Sequence, residues 1–187
     1  MPLGELVKLV RPPAKPIDGI SREVRLRTAT GSELDLPEDY KQFSAIYGSG
    51  AFKVNQIPLL CIQNPFAPDF SKWASSQLDA LRDSKDSSGE EGVPYAIFPD
   101  EAGLFPLGRD DQATRLWWRT VGEANSWPII VQWFLGPDSF RELRMPLTEL
   151  LVRLFRGEID LPPWPEPWSR YEVVFVPFAR NAKGGEG

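Results

Sequence analysis

Histidine is absent from the 187 residues, and cysteine occurs once, at Cys61. Without histidine there is no Ser-His-Asp triad, no imidazole general base and no His-bearing zinc site. One cysteine allows no intramolecular disulfide and no Cys-rich zinc or iron–sulfur centre within the chain. Long apolar runs are lacking too: none approaches the roughly 20 residues that span a bilayer. The opening MPLGELVKLVRPPAK has no continuous apolar h-region, so no signal peptide is expected. An unpaired cysteine and no export signal predict a cytoplasmic protein. No Gly-x-x-x-x-Gly-Lys motif occurs, no Gly-x-Gly-x-x-Gly follows a strand, and no loop has the 12-residue calcium pattern. No cofactor and no metal are therefore expected.

What is present describes a globular chain rich in rings and acids. Trp 7 and Phe 11 are high counts for this length. Net charge is −5, unevenly spread. Residues 1–30 carry six basic and three acidic side chains, a net of +3, and residues 31–187 carry 15 and 23, a net of −8. An acidic body disfavours a nucleic-acid binder, which needs a basic face to neutralise phosphates. It suits a basic protein partner, and it also suits a protein charged only for solubility.

Four prolines in residues 1–16 predict an extended lead-in. Ile17, Ile20 and Val24 permit a short helix before Thr28. Leu36-Pro37-Glu38-Asp39-Tyr40 starts a helix, because proline suits the first helical position and two carboxylates favour the helix dipole. Gly48 is placed to cap that helix in a left-handed conformation. Residues 51–62 read as extended, with Pro58 marking a break or sheet edge. Phe70, Trp73, Ala74, Leu78 and Leu81 predict a second helix. The apolar-free run 83–92 reads as a mobile surface loop.

Strands are predicted at 94–98, 104–107, 114–119, 127–134 and 139–144, joined by Gly-, Pro- and Asp-rich turns. That pattern argues for a meandering, mostly antiparallel sheet. Residues 127–134 are apolar on both alternating faces except at Gln132, as a strand covered on both sides is. Leu147, Leu150, Leu151, Leu154 and Phe155 define a third helix, stopped by Gly157. A proline-rich connector at 161–168, read as a strap along the protein's own surface, leads to a last strand at 171–178. The division expected is a lead-in at 1–16, one α+β domain at 17–178 and a disordered tail at 179–187.

Four of these pieces, in order, carry a family pattern. They are Leu36-Pro37-Glu38-Asp39-Tyr40-Lys41-Gln42-Phe43 with Tyr47-Gly48-Ser49-Gly50; Phe98-Pro99 with Gly103-Leu104-Phe105-Pro106-Leu107-Gly108; Leu116-Trp117-Trp118-Arg119-Thr120-Val121-Gly122 with Trp127-Pro128-Ile129-Ile130-Val131; and the closing helix Leu147–Gly157. Together they resemble the SUKH superfamily, bacterial immunity proteins related to the fungal cell-wall-synthesis regulators of the Smi/Knr type. Leu107 stands where that family usually has tryptophan. The resemblance implies a central antiparallel sheet with helices packed on it. It also implies a non-enzymatic protein that neutralises a cognate toxin, often a nuclease or another intracellular poison; the acidic body and the lack of a long apolar run predict no direct binding of nucleic acid or membrane.

Candidate contact residues follow from turn chemistry and interface preferences. Asp100-Glu101 and Asp110-Asp111, with Glu123 in the next turn, either face a basic partner or are ordinary solvated turns. Trp117 and Trp118 either anchor an interface or fill the core, and as strand neighbours they point to opposite faces. Glu38 and Asp39 diverge by about 100° on their helix, so a dipole role accounts for them better than an acid–base pair. Cys61, inside Leu59-Leu60-Cys61-Ile62, reads as a small buried hydrophobe. Two other functions stay open: a scaffolding interaction domain like the fungal regulators, and an enzyme using carboxylates or lysine.

Overall fold

A computed structural model describes residues 2–19, 26–27, 33–55, 57–134, 137–164 and 168–178. The expected helix at 17–24 and the tail at 179–187 fall largely or wholly outside the described residues. Among the described residues the architecture is α+β: four helices packed on an antiparallel sheet of seven strands. A separate two-stranded ladder pairs β1 (Leu26–Arg27) with β2 (Glu33–Leu34).

The sheet contains β3 (Gly50–Val54), β4 (Ile57–Ile62), β5 (Leu104–Arg109), β6 (Arg115–Arg119), β7 (Ile129–Gln132), β8 (Phe140–Leu143) and β9 (Val174–Pro177). Its order is β8-β7-β6-β5-β4-β3-β9, and every pair is antiparallel. From β5 to β8 the chain meanders, as the turn signals predict. Residues 51–62 are not one extended segment but the β3–β4 hairpin, which turns at Asn55 with φ of 49°. The predicted strand at 94–98 is instead irregular, with a single bridge from Ile97 to Leu104.

One face of the sheet is covered by α1 (Pro2–Leu9), α2 (Glu38–Tyr47) and α4 (Leu147–Arg156). Tyr40, Phe43 and Tyr47 of α2 meet Phe52, Trp118, Phe155 and Phe175 in a continuous aromatic core. On the other face α3 (Phe70–Gly92) sets Leu78 and Leu81 against Leu104, Trp117 and Ile130. Hence β7 is buried residue by residue on both faces, the expectation for 127–134.

Two local expectations are corrected. Residues 2–9 are helical, not an extended lead-in, because Pro2 occupies the first helical position and the other prolines follow the helix. Leu6 and Val10 are fully buried against α4, so this segment belongs to the core. Residues 83–92 continue α3. With no apolar residues to hold them, they are held by polar bonds. Ser84, Ser87 and Ser88 hydroxyls donate back to the carbonyls of Ala80, Asp83 and Ser84. Lys85 donates to the Tyr95 carbonyl and pairs with Glu90. Only Gly89, at φ 65° and ψ −163°, breaks the helical path.

Gly48 ends α2 with φ of 69°, but its ψ of −154° is not that of a left-handed cap. A Cβ there would clash with the Ile17 carbonyl oxygen, so the close approach of these two segments requires glycine as much as the turn does. Gly157 does cap α4 in the left-handed region. No helix among the described residues is long and apolar enough to cross a membrane.

Candidate functional site

The register of β5 and β6 divides the candidate residues between two ends of the sheet. Leu104 pairs with Arg119, and Arg109 with Arg115. The turns preceding β5 and following β6 therefore share one end, tied by the Thr120 N–H and hydroxyl, which both donate to the Gly103 carbonyl. Asp100, Glu101 and Glu123 sit there, all exposed. Asp110 and Asp111 lie at the opposite end, in the β5–β6 turn.

Asp110 is not a surface contact. It is only 8% exposed. Its Oδ1 accepts the N–H groups of Gln112 and Thr114, and its Oδ2 accepts the Trp164 indole N–H at 2.9 Å. The carboxylate closes the hairpin turn and ties down Trp164. Trp164 packs on Trp168, which stacks on Phe155 of α4. Asp111 remains exposed.

Trp117 and Trp118 are not exposed anchors either. Each is 1% exposed, and they enter different clusters on opposite faces. Rings this large fill the core because both faces of β6 carry helices. Trp117 also donates its indole N–H to the buried Gln132 side chain at 2.9 Å. Trp127 is core as well, at 8% exposure.

At the acidic end, a recess of about 380 Å³ opens between the starts of α2 and α4, with Trp118, Arg119, Trp127 and Glu142 in its wall. Glu142 is paired with Arg119 at 3.0 Å and Arg144 at 2.9 Å. Asp39 lies at its inner edge and accepts the Thr148 N–H at 3.0 Å. Burial holds its carboxyl above the usual range, opposed by the bonds from Thr148 and neighbouring backbone. The Glu38 N–H is in turn accepted by Asn125. Glu38 pairs with Lys41, so the two adjacent acids serve separate structural contacts.

At the other end, a larger recess of about 760 Å³ lies where α3 stops short of covering the sheet. Cys61, Arg109 and Arg115 stand side by side across β4, β5 and β6, and Lys53 of β3 joins them. Cys61 is a poor nucleophile there: burial pushes its thiol up to about 12, Arg109 opposing. Its burial is incomplete, so it is only partly the buried hydrophobe expected. Sequence reading missed this recess. Arg109 and Arg115 flank a predicted turn at symmetric positions, but only the closed hairpin puts them together. Among the described residues no three His, Cys, Asp or Glu side chains gather as a metal site.

Scans against protein-family models, curated proteins and solved structures return no match for this chain.

Proposed function

We propose that the chain is a cytoplasmic, non-enzymatic immunity protein of the SUKH type, which binds a cognate bacterial toxin and occludes its active or substrate-binding surface. One observation carries the reading. The four sequence blocks that resemble the family fall, in chain order, on packed parts of one α+β unit: α2 with its glycine exit into β3, the turn leading to β5, the β6–β7 pair, and α4, with α2 against α4 and β5 against β6. Blocks that keep the family's order along the chain and pack into one unit support the reading, because a single framework needs its parts to agree with one another.

The docking surface of this reading is the acidic end of the sheet. Asp100, Glu101 and Glu123 leave their carboxylates in solvent on two tied turns, where they steer a basic protein by complementary charge. The framework tryptophans hold those turns in place and do not themselves touch the toxin. Tight binding needs an interface of roughly 1,600 Å² with a few buried anchors. The test is co-expression with the product of any toxin-like gene found adjacent to the one encoding this chain. Restored growth and co-purification are expected. Growth arrest as severe as with toxin alone, and no complex, would sink the reading.

A further inference from the structure

The larger recess brings three cations and three acids, Asp69, Asp110 and Asp111, to one place. In a protein of net charge −5, Lys53, Arg109 and Arg115 converge on one uncovered part of the sheet. None of the three has an ion pair or a side-chain hydrogen bond among the described residues, whereas Lys41, Arg82, Arg119, Arg144, Arg153 and Arg156 all pair with acids. Arg109 and Arg115 are direct cross-strand partners, and like charges placed directly opposite destabilise a sheet. Arg115 is half-buried, and both that burial and Arg109 lower its hold on its proton. Folding alone gives no reason to leave such a pair without an acid.

The nearby acids do not supply one. Asp110 spends both oxygens on the turn and on Trp164. Asp69 and Asp111 border the recess without forming an ion pair among the described residues. Trp73 and Gln77 of α3 form the opposite wall. The cations run across β3, β5 and β6, and three strand spacings of about 4.8 Å make a row of roughly 14 Å. That length matches about four residues of extended chain at ~3.3 Å each.

We propose that this recess is a docking site for an extended acidic peptide segment of a protein partner, whose carboxylates pair with Arg109, Arg115 and Lys53. Charge complementarity chooses this occupant, and the length of the row favours a chain over a compact anion. The inference does not rest on the immunity reading, since the recess lies at the end of the sheet opposite Asp100, Glu101 and Glu123.

The probe is a fluorescein-labelled hexaglutamate peptide, titrated by anisotropy against the full chain at low salt. Saturable binding is expected, weakening as salt is added. Arg109→Gln should weaken it by about tenfold and Arg109→Gln/Arg115→Gln by more, the loss of strong charge-assisted bonds. Arg144→Gln, at the other end, should leave it within about twofold. Thermal melts check the fold, and the exposed Arg109 variant decides the matter if the double variant unfolds. No saturable binding, or binding that ignores both arginine substitutions, overturns the proposal. Pyrophosphate that binds while the peptide does not also overturns it, and assigns the recess to a small phosphate-bearing ligand.

Discussion

The Asp39 carboxylate accepts the backbone N–H of Thr148 at 3.0 Å, across 109 positions of sequence. The first turn of α2 thus caps the first turn of α4. No side chain of α4's own N-cap residue, Pro146, does this. A helix start leaves N–H groups unsatisfied, and an acidic acceptor serves both that need and the helix dipole. Removing the acceptor should cost about 1 kcal/mol, the usual value of a cap. Asp39→Ala is therefore expected to lower the urea midpoint at unchanged slope, and Asp39→Asn, which keeps an acceptor oxygen, should lose less.

The same carboxylate gives a pH dependence. Burial raises its folded-state value above that of the unfolded chain, so between those two values the folded state binds more protons. Stability from this group is complete below the unfolded value, about 3.9, and is lost as pH rises through the raised folded value. Urea midpoints of wild type minus Asp39→Asn, measured across that window, should fall with rising pH. A flat difference would refute the burial argument.

Trp117 and Trp118 are expected to behave as core residues on opposite faces. Either alanine substitution should cost about 3–5 kcal/mol. Trp117→Phe should add a polar penalty of about 1–3 kcal/mol, because it leaves the buried Gln132 oxygen without its donor. Denaturant titration of the three variants, with Trp118→Phe as the control that orphans no partner, separates the two effects.

Cys61 should resist modification in the native state. A thiol held near 12 is almost wholly protonated at pH 8, and the thiolate is the reactive form. Reaction with an aromatic disulfide reagent is expected to be slow in buffer and faster by orders of magnitude in 6 M urea. Equal rates would place the thiol in open solvent.

Much of the fold was legible because it is written in local patterns. The α4 stripe, the Pro37 start of α2 and the β5–β8 meander each follow from spacing and turn residues that need no distant partner. The start of the chain and residues 83–92 were not legible. Pro2 reads as a breaker unless the helix begins there, and the end of α3 is held by hydroxyl and lysine bonds rather than by an apolar stripe. The site divided in the same way. Exposure of Asp100, Glu101 and Glu123 follows from turn chemistry, but Asp110 sits in an identical-looking turn and is buried by Trp164, 54 residues on. The pairing of Arg109 with Arg115 depends on hairpin register, which composition does not encode.

The acidic turns should matter for binding and not for folding. Asp100→Asn/Glu101→Gln/Glu123→Gln is expected to keep the wild-type melting temperature, since solvent-exposed substitutions usually stay within about 0.5 kcal/mol. Its association with a basic toxin should slow, with a weaker salt dependence. Stopped-flow association at two ionic strengths measures both.

The central claim is neutralisation by binding, and growth rescue tests it most directly. Cells expressing a toxin candidate encoded beside this chain are co-transformed with this chain or with the triple acidic variant. Full rescue by the wild type, with reduced rescue by the equally abundant variant, is the predicted result. No rescue by wild-type protein that is folded and abundant would contradict the account.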